Sequence, residues 1–343
     1  MKSSKLIHIV SCHAEGEVGN VIIGGVAPPK GDSLWEKARW IDQDQKLRQF
    51  VLNEPRGGVF KHVNLLVPAQ NPKAQQGFII MEPEHTPPMS GSNSICVSTV
   101  LLDTGMIQMT EPKTIVTLDT PAGLVRATAM CKNGKCERVS LDMTPSYADQ
   151  LDVIVEVEGL GEISVDIAFG GIFYALIDPA QFNLKILPEN ARQLVDIGTR
   201  VHRAVNNQLD IKHPELKDLK GISYTMFVGY DDEGVMKGAT ILPPGRIDRS
   251  PCGTGNAARL AVMEARGQVS IAQTLKARSI IDSEFQVEIV AKKTINGRPG
   301  ILPRISGRGW IHGVHQVGVD PSDPYPLGYK VSDCWGDAFD LLS

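Results

Sequence analysis

The chain has 343 residues, of which 42% are hydrophobic and 22% charged, with a net charge of −4. That composition is ordinary for a globular protein, and the length suits two domains of roughly 150 residues each. The scattered, slightly negative charge gives no footprint for nucleic acid or an anionic membrane surface.

No stretch approaches the ~18 apolar residues of a membrane-spanning helix. The N-terminal "MKSSKLIHIVSCHAEGE" turns polar straight after "LIHIV", too soon for a signal peptide. The cytoplasm is the expected location. Its reducing conditions argue against a disulfide framework for Cys12, Cys96, Cys131, Cys136, Cys252 and Cys334.

In chain order, "IHIV" and "NVIIGGV" read as strands, and apolar residues near 3.6-residue spacing predict a helix over 32–53. "HVNLLVPA" and "GFIIM" are again strand-like, and a helix-like stretch follows in 89–105. Then come "KTIVTLDT", "LVRATAM", "ERVSLDM", "VIVEVEG", "EISVDIAF" and "FYALID", mostly bounded by Gly, Pro, Asn or Asp. Cys131 and Cys136 flank Asn133-Gly134, a type I′ hairpin signal, and facing hairpin residues explain their spacing as well as a metal would. "DMTPSYADQ" (142–150) is a candidate domain crossing; further helices are predicted over 188–209 and in 250–267. Many strands with few helices and no regular βαβ alternation favour an α+β fold.

Two segments repeat one design. "MSGSNSICVSTVLLDTG" carries Ser90-Gly91-Ser92, and "SPCGTGNAARLAVMEARG" carries Cys252-Gly253-Thr254. Each runs into an apolar helix and meets a glycine fifteen residues later, at Gly105 and Gly267, where glycine favours a helix stop. Glycine and small residues at a helix start let a ligand approach the backbone closely, and the first-turn N–H groups attract anions. A duplicated domain would set two such helix starts on opposite sides of one cleft, with a carboxylate held by both. That suits proton removal from a carbon next to a carboxylate, with a base on one face and an acid on the other. A thiol ionises near pH ~8.5, and a helix N-terminus lowers that value. Cys252 is therefore a credible thiolate base. A serine hydroxyl needs help to act as a base but can donate a proton. Taken singly, the bland alternatives are an N-cap serine and a small buried cysteine. Gly253-Thr-Gly255-Asn-Ala-Ala258 also fits a dinucleotide fingerprint, but "LPPGRIDRSPC" precedes it where that motif requires an apolar strand.

These residues resemble the proline racemase superfamily, which includes proline racemases, 4-hydroxyproline epimerases and trans-3-hydroxyproline dehydratases. The matching pieces are "EPRGG" (54–58), "MSGSNSI" (89–95), "DIAFGGIFYALID" (166–178), "LPPGRIDRSPCGTGNAARLA" (242–261) and "DPYPLGYKVSD" (323–333). The resemblance implies two pseudo-symmetric domains, each a sheet wrapped around a central helix as in diaminopimelate epimerase, with the active site between them. One domain is expected over 1–150 plus 325–343 with Ser90, the other over 151–324 with Cys252. The resemblance implies Ser90 and Cys252 as the catalytic pair. Gly91, Ser92, Gly253 and Thr254 would bind the carboxylate, and Asp248 the ring nitrogen. It implies no pyridoxal phosphate, metal or other cofactor and a small-molecule substrate, hydroxyproline. It is compatible with a homodimer.

The chain departs from the family where cysteine usually stands at position 90 and histidine often at position 92; both are serine here. A symmetrical two-thiol exchange is thereby impaired. Loss of a 3-hydroxyl needs one good base and one group that assists the departing oxygen. The expected activity is therefore dehydration of trans-3-hydroxy-L-proline to Δ1-pyrroline-2-carboxylate. The first alternative is a 4-hydroxyproline 2-epimerase, or an enzyme with both activities. A non-catalytic imino-acid binding protein is the alternative of another class. Chemistry favours the Cys252 thiolate as the base; if Ser90 removes the proton it needs activation, from His85 or the helix dipole, a loop histidine being the plainer reading of His85.

Overall fold

A computed structural model of the chain describes residues 6–83, 85–214, 219–243 and 245–336. The chain divides into two compact units, Met1–Leu141 with Gly307–Ser343, and Asp142–Ser306. The first passage falls at the head of the 142–150 segment. The return falls at 306/307, not at the expected 324/325. The reason is strand pairing: Gly309–Gly318 lies antiparallel to Leu6–Ala14 within the first unit.

The two units repeat one topology. In the first, the neighbours run Gly309–Gly318, Leu6–Ala14, Glu17–Gly24, Lys61–Val67, Gln76–Met81, Lys113–Thr120, Gly123–Lys132 and Lys135–Asp142. Their pairings are antiparallel, antiparallel, parallel, antiparallel, parallel, antiparallel and antiparallel. In the second, the neighbours run Tyr147–Val157, Gly161–Phe169, Phe173–Ile177, Tyr224–Tyr230, Met236–Leu242, Leu275–Arg278, Glu284–Ile295 and Arg298–Gly307. They pair in the same sequence of orientations. Parallel neighbours need a crossover, and helices supply it in the same two places. In the first unit these are α1 (Leu34–Asp44) with α2 (Lys46–Leu52), and α3 (Gly91–Asp103). In the second they are α4 (Ala191–Gln208) and α5 (Gly253–Ala265).

The predicted α+β architecture, with a central helix in each half, is what the chain adopts. In α3 every residue from Gly91 to Leu102 is buried. Each of Ile95, Val97, Val100, Leu101 and Leu102 contributes roughly 1.5–3 kcal/mol by leaving water. Helix α5 is buried from Gly253 to Met263 except at Thr254. Close packing requires glycine at two contacts. A Cβ on Gly309 would come 2.4 Å from Thr99 Oγ1 of α3, and one on Gly170 would come 2.1 Å from the carbonyl of Thr254 in α5. Gly105 and Gly267 end these helices at φ 73° and 68°, as their spacing predicts.

Two local expectations differ. The helix predicted over 32–53 breaks at Gln45, whose φ of 53° lies in the left-handed region and separates α1 from α2; its N–H still closes the last turn of α1 on the Ile41 carbonyl. Cys131 and Cys136 face each other across the hairpin, which settles their spacing as strand register. Among the described residues no helix is long and apolar enough to cross a membrane.

Candidate active site

Ser90 is the N-cap of α3, in extended backbone at φ −149° and ψ 133°. Its Oγ accepts from Asn93 N at 3.4 Å and from Asn93 Nδ2 at 3.1 Å, and lies 3.3 Å from Ser92 Oγ. Gly91 and Ser92 occupy the first turn, where backbone N–H groups precede the helix's own ladder. The chain thus gathers Ser90, Gly91 and Ser92 at one helix end.

Cys252 caps α5 in the same way, its Sγ accepting from Gly255 N at 3.4 Å. Its backbone is not ordinary: φ is 68° and ψ 116°. A non-glycine residue there carries strain of order 1–3 kcal/mol, a cost that clusters at functional positions. The preceding turn holds it. Asp248 Oδ1 accepts from Ser250 N at 2.8 Å, Ser250 Oγ accepts from Cys252 N at 3.1 Å, and the Cys252 carbonyl accepts from Asn256 N at 3.1 Å. Asp248, Cys252, Gly253 and Thr254 thus lie in one turn and helix start.

The structure corrects one chemical expectation. The Cys252 thiol is pushed up to about 12, first by burial and then by the Asp248 carboxylate; hydrogen bonds from Thr240, Tyr174 and Gly255 pull the other way and lose. At neutral pH Cys252 is a thiol, hence a proton donor, and the helix N-terminus does not make it a thiolate. His85 shows no contact with Ser90 that would make it a relay. Burial lowers it to about 4, its charged neighbours are Asp42, Arg48 and Arg39, and Ser90 Oγ finds Ser92 and Asn93 instead.

Two neighbours of the capping atoms are absent from the sequence reading. Tyr174 places its hydroxyl 3.4 Å from Cys252 Sγ and 2.7 Å from Thr254 Oγ1. Burial raises its phenol well above the usual range, so it remains a donor. The signal was strand alternation: Phe173, Ala175 and Ile177 share one core, whereas Tyr174 and Leu176 turn to the side of Cys252. The other neighbour is Asn93, the third residue of α3, where a side chain can reach back to the cap.

The architecture defines a class: a duplicated α+β protein with a proton-carrying side chain capping the central helix of each half. The profile of the proline racemase family matches residues 9–330. A hydroxyproline epimerase from Agrobacterium vitis, solved with bound trans-4-hydroxy-L-proline, is 43% identical over 99% of this chain and 100% of its own, with a TM-score of 0.92. A probable proline racemase from Agrobacterium radiobacter, with bound carbonate, is 45% identical over 97% and 99%, at 0.91. The PhzF-family phenazine biosynthesis protein of Bacillus anthracis shares the fold alone, at 13% identity over 92% and 100% and a TM-score of 0.60. The chain belongs to the proline racemase family.

Proposed function

We propose that this protein is a hydroxyproline 2-epimerase that needs no cofactor, with Ser90 and Cys252 serving opposite faces of the substrate Cα. One removes the proton while the other delivers one. The first-turn N–H groups of Gly91, Ser92, Gly253 and Thr254 stabilise the carboxylate as charge builds on it. Asp248 pairs with the ring ammonium. The observation that carries this reading is the repeated helix start, with a capping hydroxyl in one half and a capping thiol in the other. The relatives at 43% and 45% identity favour epimerisation over the dehydration expected from sequence.

The thiol at about 12 fits this scheme once substrate chemistry is included. An ammonium beside Asp248 offsets the anion that raises Cys252, so substrate arrival lowers the thiol toward a value useful for proton exchange.

One observation favours a second reading, dehydration of trans-3-hydroxy-L-proline. A hydroxyl at position 90 is a weak partner for reversible exchange but can assist a departing 3-hydroxyl. Loss of the Cα proton and the 3-hydroxyl releases water and leaves an enamine, which tautomerises to Δ1-pyrroline-2-carboxylate. A 4-hydroxyl is not β to the carbanion and cannot leave in this way.

Proton NMR in D2O, with trans-4-hydroxy-L-proline and trans-3-hydroxy-L-proline in separate tubes, tests both readings. Loss of the Cα signal of the 4-isomer with appearance of its cis-D epimer is expected. Conversion of only the 3-isomer to pyrroline-2-carboxylate would install the second reading in its place. No Cα exchange on either would remove both.

A further inference from the structure

We infer that Asn93, oriented by Asn64 and His62, is the positioning residue that makes the Ser90 hydroxyl able to exchange a proton. This rests on the proposed role of Ser90 and extends it to residues outside the helix start.

The direction of the Asn93 carboxamide follows from a fixed backbone atom. The carbonyl of Asn20 can only accept, and Asn64 Nδ2 donates to it at 3.3 Å. The same Nδ2 donates to Asn93 Oδ1 at 2.9 Å. Asn93 must then present Nδ2 on its other side. There it meets Ser90 Oγ at 3.1 Å and His62 Nδ1 at 3.2 Å, one partner for each amide hydrogen. His62 itself stands between two carboxylates, Nε2 at 3.5 Å from Glu17 Oε1 and Nδ1 at 3.4 Å from Glu82 Oε1. His62, Glu17 and Glu82 are the titratable groups around this carboxamide, and all three are buried, as are Asn64 and Asn93.

A buried polar array of this kind is an improbable way merely to fill a core, because each group needs partners to offset its desolvation. Its outlet is one N–H aimed at Ser90 Oγ. A serine hydroxyl is far less acidic than a thiol, and a donor to the oxygen favours its ionised form. The Asn93 side-chain and backbone N–H groups together form a small anion-stabilising pair on that oxygen. Among the described residues no side-chain amide donates to Cys252 Sγ; glycine stands at the equivalent third helical position, Gly255.

The test uses a thiol as reporter of anion stability at position 90. In S90C the introduced thiol is titrated by the pH dependence of its alkylation with iodoacetamide, read by peptide mass mapping. It is expected to ionise about one pH unit lower than in S90C/N93A. Equal values would overturn the inference. In parallel, N93A in the wild-type background is expected to lower kcat for Cα exchange about a hundredfold with little change in KM. In the S90C background the same change is expected to cost less than about tenfold, because a thiol needs less help. Equal losses in both backgrounds would mean that Asn93 is only structural. Should N93A not fold, N93D keeps the shape, exchanges the donor for an acceptor and is expected to raise the introduced thiol further. The thiol titration uses no substrate, so failure of the epimerase reading leaves it decisive.

Discussion

The starts of α3 and α5 occupy equivalent places in a repeated fold and both capping atoms accept from the third helical N–H, yet the side chains around them differ. Ser90 sits in relaxed extended backbone, and the third helical residue, Asn93, reaches back to donate to its oxygen. Cys252 sits at a strained φ of 68°, and the third helical residue is Gly255. A Cβ on Gly255 would come 3.1 Å from Cys252 Sγ and 2.8 Å from Met226 Sδ. The third helical residue gives the small, poorly acidic atom a side-chain donor; at the larger, more acidic one it gives only its backbone N–H and leaves room, and Thr240 and Tyr174 supply the side-chain contacts. The difference teaches that two like helix starts can carry different caps when the third residue differs with the chemistry of the cap.

The largest expected effect is at the thiol. Cys252→Ser keeps nearly the same volume, so the fold should persist by circular dichroism. Turnover of hydroxyproline is expected to fall about a thousandfold, the scale of a lost acid–base group. Unchanged turnover would mean that the two halves do not share the reaction. Next is the thiol's own reactivity. With the thiol at about 12 rather than in the range of a free cysteine, the thiolate fraction near pH ~8 falls by about three orders of magnitude. Alkylation of Cys252 should lag glutathione accordingly and keep rising with pH well above ~9. Asp248 raises the thiol, so Asp248→Asn should lower it and speed alkylation about tenfold. A slower reaction in that variant would reverse the sign of the argument.

Legibility from sequence followed the same division. Both central helices, their caps and their glycine stops were readable because small residues and apolar runs lie close together in the chain. The break at Gln45 was not, since apolar residues continue through it at Ile41, Leu47 and Phe50, with no glycine or proline to mark it. Glu284–Ile295 escaped because its residues mix polar and apolar types and it takes its place from the partners at Leu275–Arg278 and Arg298–Gly307. The polar support of Ser90 was invisible for a stronger reason. Asn20, the pair His62 and Asn64, Glu82 and Asn93 come from four separate segments, gathered by pairing of Glu17–Gly24 with Lys61–Val67 and of that strand with Gln76–Met81, and by packing of α3 on the first two strands of the chain. The thiol's ionisation was misjudged because a local rule, the helix N-terminus, was outweighed by burial and Asp248.

The packing of each sheet on its helix gives a smaller effect. A Cβ on Gly170 meets backbone on both counts, 2.1 Å from the Thr254 carbonyl and 2.6 Å from Ala258 N, and backbone of a buried helix cannot step aside. Gly170→Ala is expected to cost about 2–3 kcal/mol in urea unfolding. Gly309→Ala, whose nearest obstacle is the Thr99 side chain at 2.4 Å, should cost less, about 1–2 kcal/mol. The reverse order would show that α3, not α5, is the more tightly held.

The smallest effect distinguishes the two halves most directly. Gly19 lies in a strand, and what it supplies is space: a Cβ there would stand 2.9 Å from both Asn93 Oδ1 and Cys96 Sγ. Gly19→Ala should therefore tilt the Asn93 carboxamide away from Ser90 while leaving Cys252 and its neighbours untouched. Exchange at Cα is expected to slow about tenfold, with KM nearly constant and the alkylation rate of Cys252 unchanged. In S90C the same substitution should cost much less. A drop in melting temperature with no change in kcat would mean that the glycine serves packing alone, and that the orientation of Asn93 does not govern the serine half.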